Sequence, residues 1–377
     1  MAEFRTPGRI LYGEGAAELL SRLNGQRMLL VYDSSDAGEL AQKLLSPSGI
    51  SIRPFEAGAD FVDMPKVLDG TKALMEYKPD WVLAAGGHGA MDLAKLIRIF
   101  YQRPELTFAD AINGKAADTS LSKTRLIALP SYDTEGGEVS SAAYLADPTT
   151  CRQAEINCAA SMPDITVIDP LLTSCANDRQ EALCVISTFA LAIEAAAHES
   201  CCSFARPLAL EALRSISGSV PAHSALPPRP APLLYAQCLA GMAHANSAPG
   251  LCSALYRATS PEFGVVSLGA MSAACLPHII RQDRRQKKYL PAAEAIGLKD
   301  AAALADAVEE YADMLGLPLT LRELGVNKNT FLKNLSRISH KAMPYLPAHA
   351  LPEKEPQKHI EQILRGAYFA GEQQNAR

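Results

Sequence analysis

The first half of the 377-residue chain alternates short apolar runs with segments whose apolar residues recur at helical spacing. Four apolar runs predict buried strands: Met28–Tyr32, Trp81–Ala85, Leu126–Leu129 and Ile165–Ile168. Segments 41–45 and 67–77 carry apolar residues three or four positions apart, which predicts helices between the strands. Strands that alternate with helices favour a parallel sheet covered by helices.

The second half shows a different pattern, because strand-like runs end near Asn177. Segments 207–216 and 301–315 are rich in Ala and Leu at helical spacing, and the proline-rich segment 221–232 predicts a loop. The apolar stretch 182–197 contains Glu194 and is shorter than the roughly 20 residues that a membrane span needs, so it predicts a buried helix. We therefore predict an α/β domain over residues 1–176 and an all-helical domain over 177–377, with a ligand site between them.

Charge and cysteine usage narrow the functional classes. The 36 Lys and Arg against 41 Asp and Glu give a net charge of −5, which argues against nucleic acid and favours a small-molecule ligand or a protein partner. The nine cysteines contain no CxxC pair, and the N-terminal segment has early charges without an apolar core. These features predict a reduced, cytoplasmic protein with no signal peptide and no membrane partner.

A glycine-rich turn follows the predicted strand at 81–85. Gly86-Gly87-His88-Gly89 joins that strand to a helical segment, so free amides at the helix N-terminus could bind a phosphate. Tight strand-to-helix turns also need glycine for steric reasons, which leaves a purely structural role open. The pattern is not the GxGxxG dinucleotide fingerprint.

Several motifs together resemble the iron-containing, or group III, alcohol dehydrogenases. The glycine turn followed by Asp92-Leu-Ala-Lys95 resembles the family's GGGS and D-x-A-K, and segment 130–138, PSYDTEGGE, resembles its PTTxGTGSE. Segment 162–170, MPDITVIDP, is also family-like, as are segments 11–15, 204–214, 239–243 and 317–325. Since these motifs follow in order over nearly the whole chain, the resemblance implies this family's fold, a dehydroquinate synthase-like fold with an N-terminal α/β nucleotide-binding domain and an all-α C-terminal domain.

The resemblance implies that NAD or NADP binds with its pyrophosphate at the glycine turn. The implied cofactor-binding residues are those of the two motifs: Gly86, Gly87, His88, Gly89, Asp92, Ser131 and Tyr132. His88 replaces a glycine of the family, and Tyr132, Asp133 and Glu135 replace small or hydroxyl residues. An added carboxylate near a pyrophosphate is unfavourable, so these changes weaken the implied site.

Asp33 stands directly after the predicted strand 28–32, where NAD-preferring members of the family place an acid for the adenosine ribose. An acid at this position would repel the 2′-phosphate of NADP, so the resemblance implies NAD as the cofactor. The ordinary alternative is a strand-end Asp that caps a turn.

The family's metal ligands, one Asp and three His, are absent from the matching positions. Those positions are Ser187, Leu191, Ser253 and Ser267. The spacing is kept, but neutral hydroxyls and a leucine do not hold iron or zinc. We therefore expect no metal at this place. His198, His244 and His278 lie nearby and would be ligands if the alignment were shifted.

Arg257 stands where family members often carry a second histidine on the cofactor side. A permanent guanidinium charge could hold an anionic substrate group or stabilise a developing oxyanion in place of the metal, which makes Arg257 the candidate catalytic residue. The neighbouring Tyr256 could act as an acid. The alternative is an arginine that merely fills the vacated space.

Three functions follow from the resemblance. The first is a metal-independent NAD(P)-linked oxidoreductase acting on a small alcohol, aldehyde or ketone. The second is a catalytically inactive homologue that binds or regulates a partner, such as an active paralogue. The third is a non-redox enzyme of the dehydroquinate synthase type, which is ranked last because that reaction usually needs a metal. Family members are often dimers, so a homodimer is also expected.

Overall fold

The computed structural model describes residues 3–58, 61–117, 119, 124–147, 149, 152–198, 202–218, 230–265, 267–283, 285–347, 350–352 and 354–371. The chain divides into two compact units. The first, the sheet unit, comprises Arg5–Thr149 and Gln153–Gln180, and the second, the helical unit, comprises Met1–Phe4, Thr150–Arg152 and Glu181–Arg377.

The sheet unit contains eight strands and four α-helices among the described residues. In chain order these are β1 Arg9–Tyr12, β2 Arg27–Tyr32, α1 Ser35–Leu45, β3 Ser51–Glu56, α2 Met64–Tyr77, β4 Trp81–Gly86, α3 His88–Gln102, α4 Phe108–Asp110, β5 Arg125–Pro130, β6 Ala142–Asp147, β7 Arg152–Asn157 and β8 Ile165–Ile168. Six strands form one parallel sheet in the order β1-β8-β5-β4-β2-β3, and β6 pairs with β7 in a separate two-stranded sheet.

The sheet is parallel because its strands are joined through helices that cover it. Every residue of β4 is buried, as expected for a strand with helices on both faces. Helix α3 buries twelve of its fifteen residues and packs against α2 and β4. The four strands predicted from apolar runs are confirmed as β2, β4, β5 and β8, and segments 41–45 and 67–77 lie in α1 and α2.

The helical unit contains no strand among its described residues beyond position 152. Its α-helices are α5 Asp178–Ala197, α6 Ala205–Ser217, α7 Pro230–Ala245, α8 Leu251–Phe263, α9 Leu268–Gln282, α10 Leu290–Ala295, α11 Ala301–Met314, α12 Lys328–Ala342 and α13 Pro356–Phe369. The division between the units falls inside α5. Together with the parallel sheet, these helices confirm the predicted fold class.

Helix α5 is the one described helix long and apolar enough to span a membrane by length and composition. Within that apolar window 83% of the residues are buried inside the protein, which confirms the prediction of a buried core helix for 182–197. Close packing explains why residue 269 of α9 is a glycine, because a Cβ there would lie 2.1 Å from the carbonyl oxygen of Leu183. The predicted loop at 221–232 lies largely outside the described residues, and its last three positions belong to the first turn of α7.

Candidate functional site

The nucleotide residues implied by the resemblance lie together at one edge of the parallel sheet. Asp33 follows β2, the glycine turn follows β4, and Ser131 and Tyr132 follow β5. These three strands are neighbours in the order β5-β4-β2, so their carboxyl ends meet. Ligands of open α/β sheets bind at this edge. Asp92 lies one turn into α3 and is buried.

The carboxylate of Asp33 occupies the N-terminus of α3. Its Oδ2 accepts hydrogen bonds from the backbone N–H of Gly87 over 2.8 Å and of Ala90 over 3.4 Å. The N–H of His88 donates to the carbonyl oxygen of Asp133 over 3.1 Å. The chain's own acceptors therefore bind three of the amides that a helix N-terminus offers to an anion.

Gly86 permits this close approach. Its φ of +137° is accessible to glycine, and a Cβ at this position would lie 2.0 Å from Oδ1 of Asp33. Burial raises the pKa of Asp33 above its ordinary value, while the hydroxyl of Tyr132 and the two amides oppose the shift by hydrogen bonding to the carboxylate.

The ring of Tyr132 lies against the backbone of Gly87, where a Cβ would be 2.3 Å from the ring carbon Cε2. Burial, followed by the neighbouring charge of Asp33, raises the pKa of the Tyr132 phenol, so this side chain acts as a hydrogen-bond donor. The loop that follows adds three buried carboxyl side chains: Asp133, Glu135 and Glu138.

Two polar atoms beside the turn point to a ligand. The hydroxyl of Ser131 and Nε2 of His88 are buried and have no hydrogen-bond partner among the described residues. The N–H of Ser131 donates to the carbonyl oxygen of Gly86 over 3.1 Å, so this residue adjoins the turn. The turn and these two side chains fit a nucleotide in position and chemistry, whereas the anion position at the amides is taken by Asp33.

The four positions that correspond to metal ligands do not fit a divalent cation. The hydroxyl of Ser187 donates to the carbonyl oxygen of Cys184 over 3.1 Å, and Ser267 caps α9 by accepting from the N–H of Ala270. Leu191 offers no donor atom. Among the described residues, no group of three or more His, Cys, Asp or Glu side chains is placed to hold a metal ion. Iron and zinc sites require such charged or imidazole ligands.

The remaining position, Ser253, belongs to a cluster that the sequence analysis did not predict. Its hydroxyl donates to Oε2 of Glu194 over 2.5 Å and lies 3.3 Å from Nε2 of His244. Oε1 of Glu194 accepts from the N–H groups of Cys252 and Ser253 over 2.7 and 3.2 Å, at the start of α8. A Cβ on Gly250 would lie 2.3 Å from Cδ of this Glu194 side chain, so a glycine at position 250 leaves room for the carboxylate.

The remaining candidates lie elsewhere in the helical unit. Arg257 is buried one turn after Ser253 on α8, with its guanidinium carbon 4.9 Å from the ring centre of Tyr256. His278 lies on α9 beside Gly366, and burial followed by the charge of Arg281 lowers its pKa.

A cavity of about 570 Å³ lies within the helical unit and includes Glu194 in its wall. Its polar lining also contains His198, Asp283, Arg285, Lys288, Tyr289 and His359. Asp283 pairs with Lys288 and accepts from the hydroxyl of Tyr289 over 3.3 Å, and Arg285 donates to the carbonyl oxygen of Ala350 over 2.6 Å. Leu251, Leu276 and Ile279 supply apolar surface, so the cavity suits a small molecule with both polar and apolar groups.

Comparison with known proteins identifies the same family over both units. Residues 7–170 match the family model "Iron-containing alcohol dehydrogenase", and residues 183–368 match "Fe-containing alcohol dehydrogenase family, C-terminal".

Individual relatives agree with the family match. An NADPH-dependent butanol dehydrogenase of Clostridium saccharobutylicum is 26% identical over 99% of both chains, and an alcohol dehydrogenase of Thermococcus barophilus is 26% identical over 84% of this chain and 83% of its own. The solved structure of an iron-containing alcohol dehydrogenase from Thermococcus thioreducens superimposes with a TM-score of 0.85 at 25% identity, covering 98% of this chain and 100% of that one.

Proposed function

Since the chain belongs to the iron-containing alcohol dehydrogenase family, we propose that it is an NAD-linked oxidoreductase that interconverts a small alcohol and its aldehyde or ketone without a bound divalent metal. The family is NAD(P)-dependent and typically carries iron. One observation supports the metal-independent form: the four ligand positions hold three neutral hydroxyls and a leucine, two of the hydroxyls donating to protein oxygens and the third capping α9.

The sheet unit supplies the nucleotide residues. The glycine turn stands at the N-terminus of α3, and the half-buried side chain of His88 and the buried side chain of Ser131 are available to bind polar groups of the nucleotide. We propose NAD rather than NADP because the Asp33 carboxylate adds negative charge at the end of β2, which disfavours a 2′-phosphate.

The helical unit supplies the remaining chemistry in this proposal. A bound nicotinamide provides or accepts the hydride. Reduction of a carbonyl places negative charge on its oxygen, and a metal stabilises that charge in other members of the family. Arg257 carries a permanent positive charge and is the residue that we assign to this role.

The decisive experiment measures NADH oxidation by the purified full-length protein with a panel of small aldehydes and ketones. We expect turnover that is unchanged by excess EDTA and is not stimulated by added Fe²⁺ or Zn²⁺. Metal analysis of the same sample should give far less than one ion per chain. Chelator-sensitive turnover that returns with metal would show that the reaction depends on a divalent ion and would contradict the proposal.

A second candidate is the catalytically inactive homologue that acts through a protein partner. The engagement of the α3 amides by Asp33 and Asp133 favours it, because these bonds oppose binding of a pyrophosphate. Calorimetric titration distinguishes the two functions. Micromolar binding of NADH supports the oxidoreductase, and the absence of binding at millimolar NADH supports the inactive homologue.

A further inference from the structure

The carboxylate of Asp33 occupies the position that an anionic ligand would take at the N-terminus of α3. The helix runs over His88–Gln102, and its N-terminus carries partial positive charge together with amides that are not used inside the helix. Oδ2 of Asp33 accepts from the N–H of Gly87, within the glycine turn, and from that of Ala90, directly after it.

Two neighbouring contacts hold the carboxylate there. The phenol of Tyr132 neighbours the Asp33 carboxylate, and the same ring covers the backbone of Gly87. Gly86 permits the approach, since any side chain at this position would collide with Asp33. Asp33 is itself only 7% exposed, so water does not compete effectively for its hydrogen bonds.

The surroundings also show that the turn is prepared for a ligand. The hydroxyl of Ser131, a residue that is 2% exposed, has no partner among the described residues, and the same is true of Nε2 of His88. Buried polar groups in proteins are normally paired, so unpaired ones at a glycine turn indicate a ligand that would complete the hydrogen bonding.

We infer that Asp33 is an internal competitor for the phosphate-binding position, and that Tyr132 holds it in place, so a dinucleotide binds only when Asp33 releases the α3 amides. Two anions do not share one set of amides, because both must be desolvated and they repel each other. The inference rests on the proposed function, since it concerns the nucleotide of that reaction. It assigns to Asp33 a role in addition to disfavouring the 2′-phosphate of NADP.

Inorganic pyrophosphate is the decisive probe because it has no ribose. Calorimetry on the full-length protein compares the wild type with Asp33→Ala, with Tyr132→Phe and with the control Asp36→Ala, which removes an exposed carboxylate from the first turn of α1. We expect Asp33→Ala to bind pyrophosphate about tenfold more tightly, given the usual strength of anion binding at a helix N-terminus. Tyr132→Phe should give a smaller gain, and the control should give none.

The outcomes separate the inference from the proposed function. Unchanged or weaker pyrophosphate binding by both Asp33→Ala and Tyr132→Phe overturns the inference, and because misfolding does not increase affinity, a gain supports it directly. If Asp33 contacted only the ribose, Asp33→Ala would bind pyrophosphate as the wild type does. It would then bind NADH more weakly and NADPH more tightly than the wild type. If Asp33→Ala binds pyrophosphate more tightly but binds no NADH, the inference stands and the proposed function fails. Tight NADH binding that Asp33→Ala does not improve preserves the function and overturns the inference.

Discussion

The hydroxyl of Ser253, one of the four positions that the resemblance assigns to metal ligands, donates a 2.5 Å hydrogen bond to the carboxylate of Glu194. Oε1 of the same carboxylate accepts two backbone N–H groups at the start of α8. An anion at a helix N-terminus is stabilised by the helix dipole. This arrangement pairs the buried Glu194 carboxylate with three hydrogen-bond donors of the helical unit.

This arrangement predicts a stability role for Glu194. Glu194→Gln removes the charge that three donors share, and we expect the free energy of unfolding to fall by about 1–2 kcal/mol. Urea unfolding followed by circular dichroism measures the change. Glu211→Gln, on the exposed surface of α6, is the matched control and should have an effect near zero. Equal effects of the two substitutions would show that Glu194 does not stabilise α8.

In the sheet unit, replacing Gly86 should lower the free energy of unfolding. Gly86→Ala places a residue with a side chain at φ +137° and brings its Cβ into collision with Asp33, so we expect a loss of about 1–3 kcal/mol in the free energy of unfolding. Gly49→Ala is the control for backbone strain alone, because Gly49 has φ +71° and nothing within 4 Å of the added Cβ.

The double variant Gly86→Ala, Asp33→Ala separates the collision from the backbone strain. It should recover part of the loss caused by Gly86→Ala, since the atoms that collide are gone. If the double variant is as unstable as the sum of the two single variants, the contact between these residues carries no energy.

The elements that the sequence predicted are those with a continuous apolar signal. Strands β2, β4, β5 and β8 are central and mostly buried, so their runs of Val, Ile, Leu and Ala stand out. The edge strands β1 and β3 were not predicted, because their exposed and half-buried residues mix polar and apolar types. The β6–β7 pair was also missed: β7 mixes polar and apolar residues, and the apolar run 142–146 of β6 was not assigned to a strand.

The sequence identified the motifs of the candidate site but not the hydrogen bonds that surround them. The glycine turn and the four ligand positions follow from motifs that are local in sequence. The bonds that decide their chemistry join distant residues, since Asp33 and Gly87 are 54 positions apart and Glu194 and Ser253 are 59 apart. No local pattern encodes such pairs, so the engagement of the α3 amides and the cluster around Ser253 became visible in the structure alone.

The pairing of Asp283 predicts a pH-dependent contribution to stability. Burial alone would raise the pKa of Asp283, but the hydrogen bond and charge of Lys288 lower it below the ordinary value of 3.8. A lowered pKa in the folded state gives stability that is present above the ordinary pKa and lost as the pH falls through the folded value. Asp283→Asn should therefore be less stable than the wild type at about pH 7, with a difference that shrinks below about pH 4.

Urea unfolding of both proteins across this range measures the difference. Glu310→Gln, an exposed substitution on α11, controls for the general effect of removing one acidic group. A difference between Asp283→Asn and wild type that stays constant with pH would mean that the ion pair is not the source of the stability.

If Arg257 stabilises the carbonyl oxygen during reduction, replacing it should lower kcat. Arg257→Ala should lower kcat by about 10²–10³, the usual cost of removing one oxyanion-stabilising donor, with little change in the NADH dissociation constant. Arg257→Lys keeps the charge and should retain part of the activity, which distinguishes a chemical role from packing. Steady-state kinetics with NADH titration measures both quantities, and an unchanged kcat for both variants would remove Arg257 from the mechanism.

Restoring the metal ligands tests whether the four positions still converge. The variant combines four substitutions: Ser187→Asp, Leu191→His, Ser253→His and Ser267→His. We expect it to bind about one Zn²⁺ or Fe²⁺ per chain, since the new side chains supply the charge and imidazole donors that a transition ion requires. Mass-spectrometric metal analysis after gel filtration measures the stoichiometry.

The wild type and the two-residue variant Ser187→Asp, Leu191→His are the controls for this measurement. Both should bind far less metal, because the wild type has none of the four ligands and the partial variant lacks the two histidines contributed by α8 and the start of α9. A folded four-residue variant that binds no metal would show that these positions do not meet in space. The absence of ligand side chains at these positions in the wild type would then say nothing about the catalytic centre. Stoichiometric metal in the wild type would place the ion on other side chains and would contradict the metal-independent reaction.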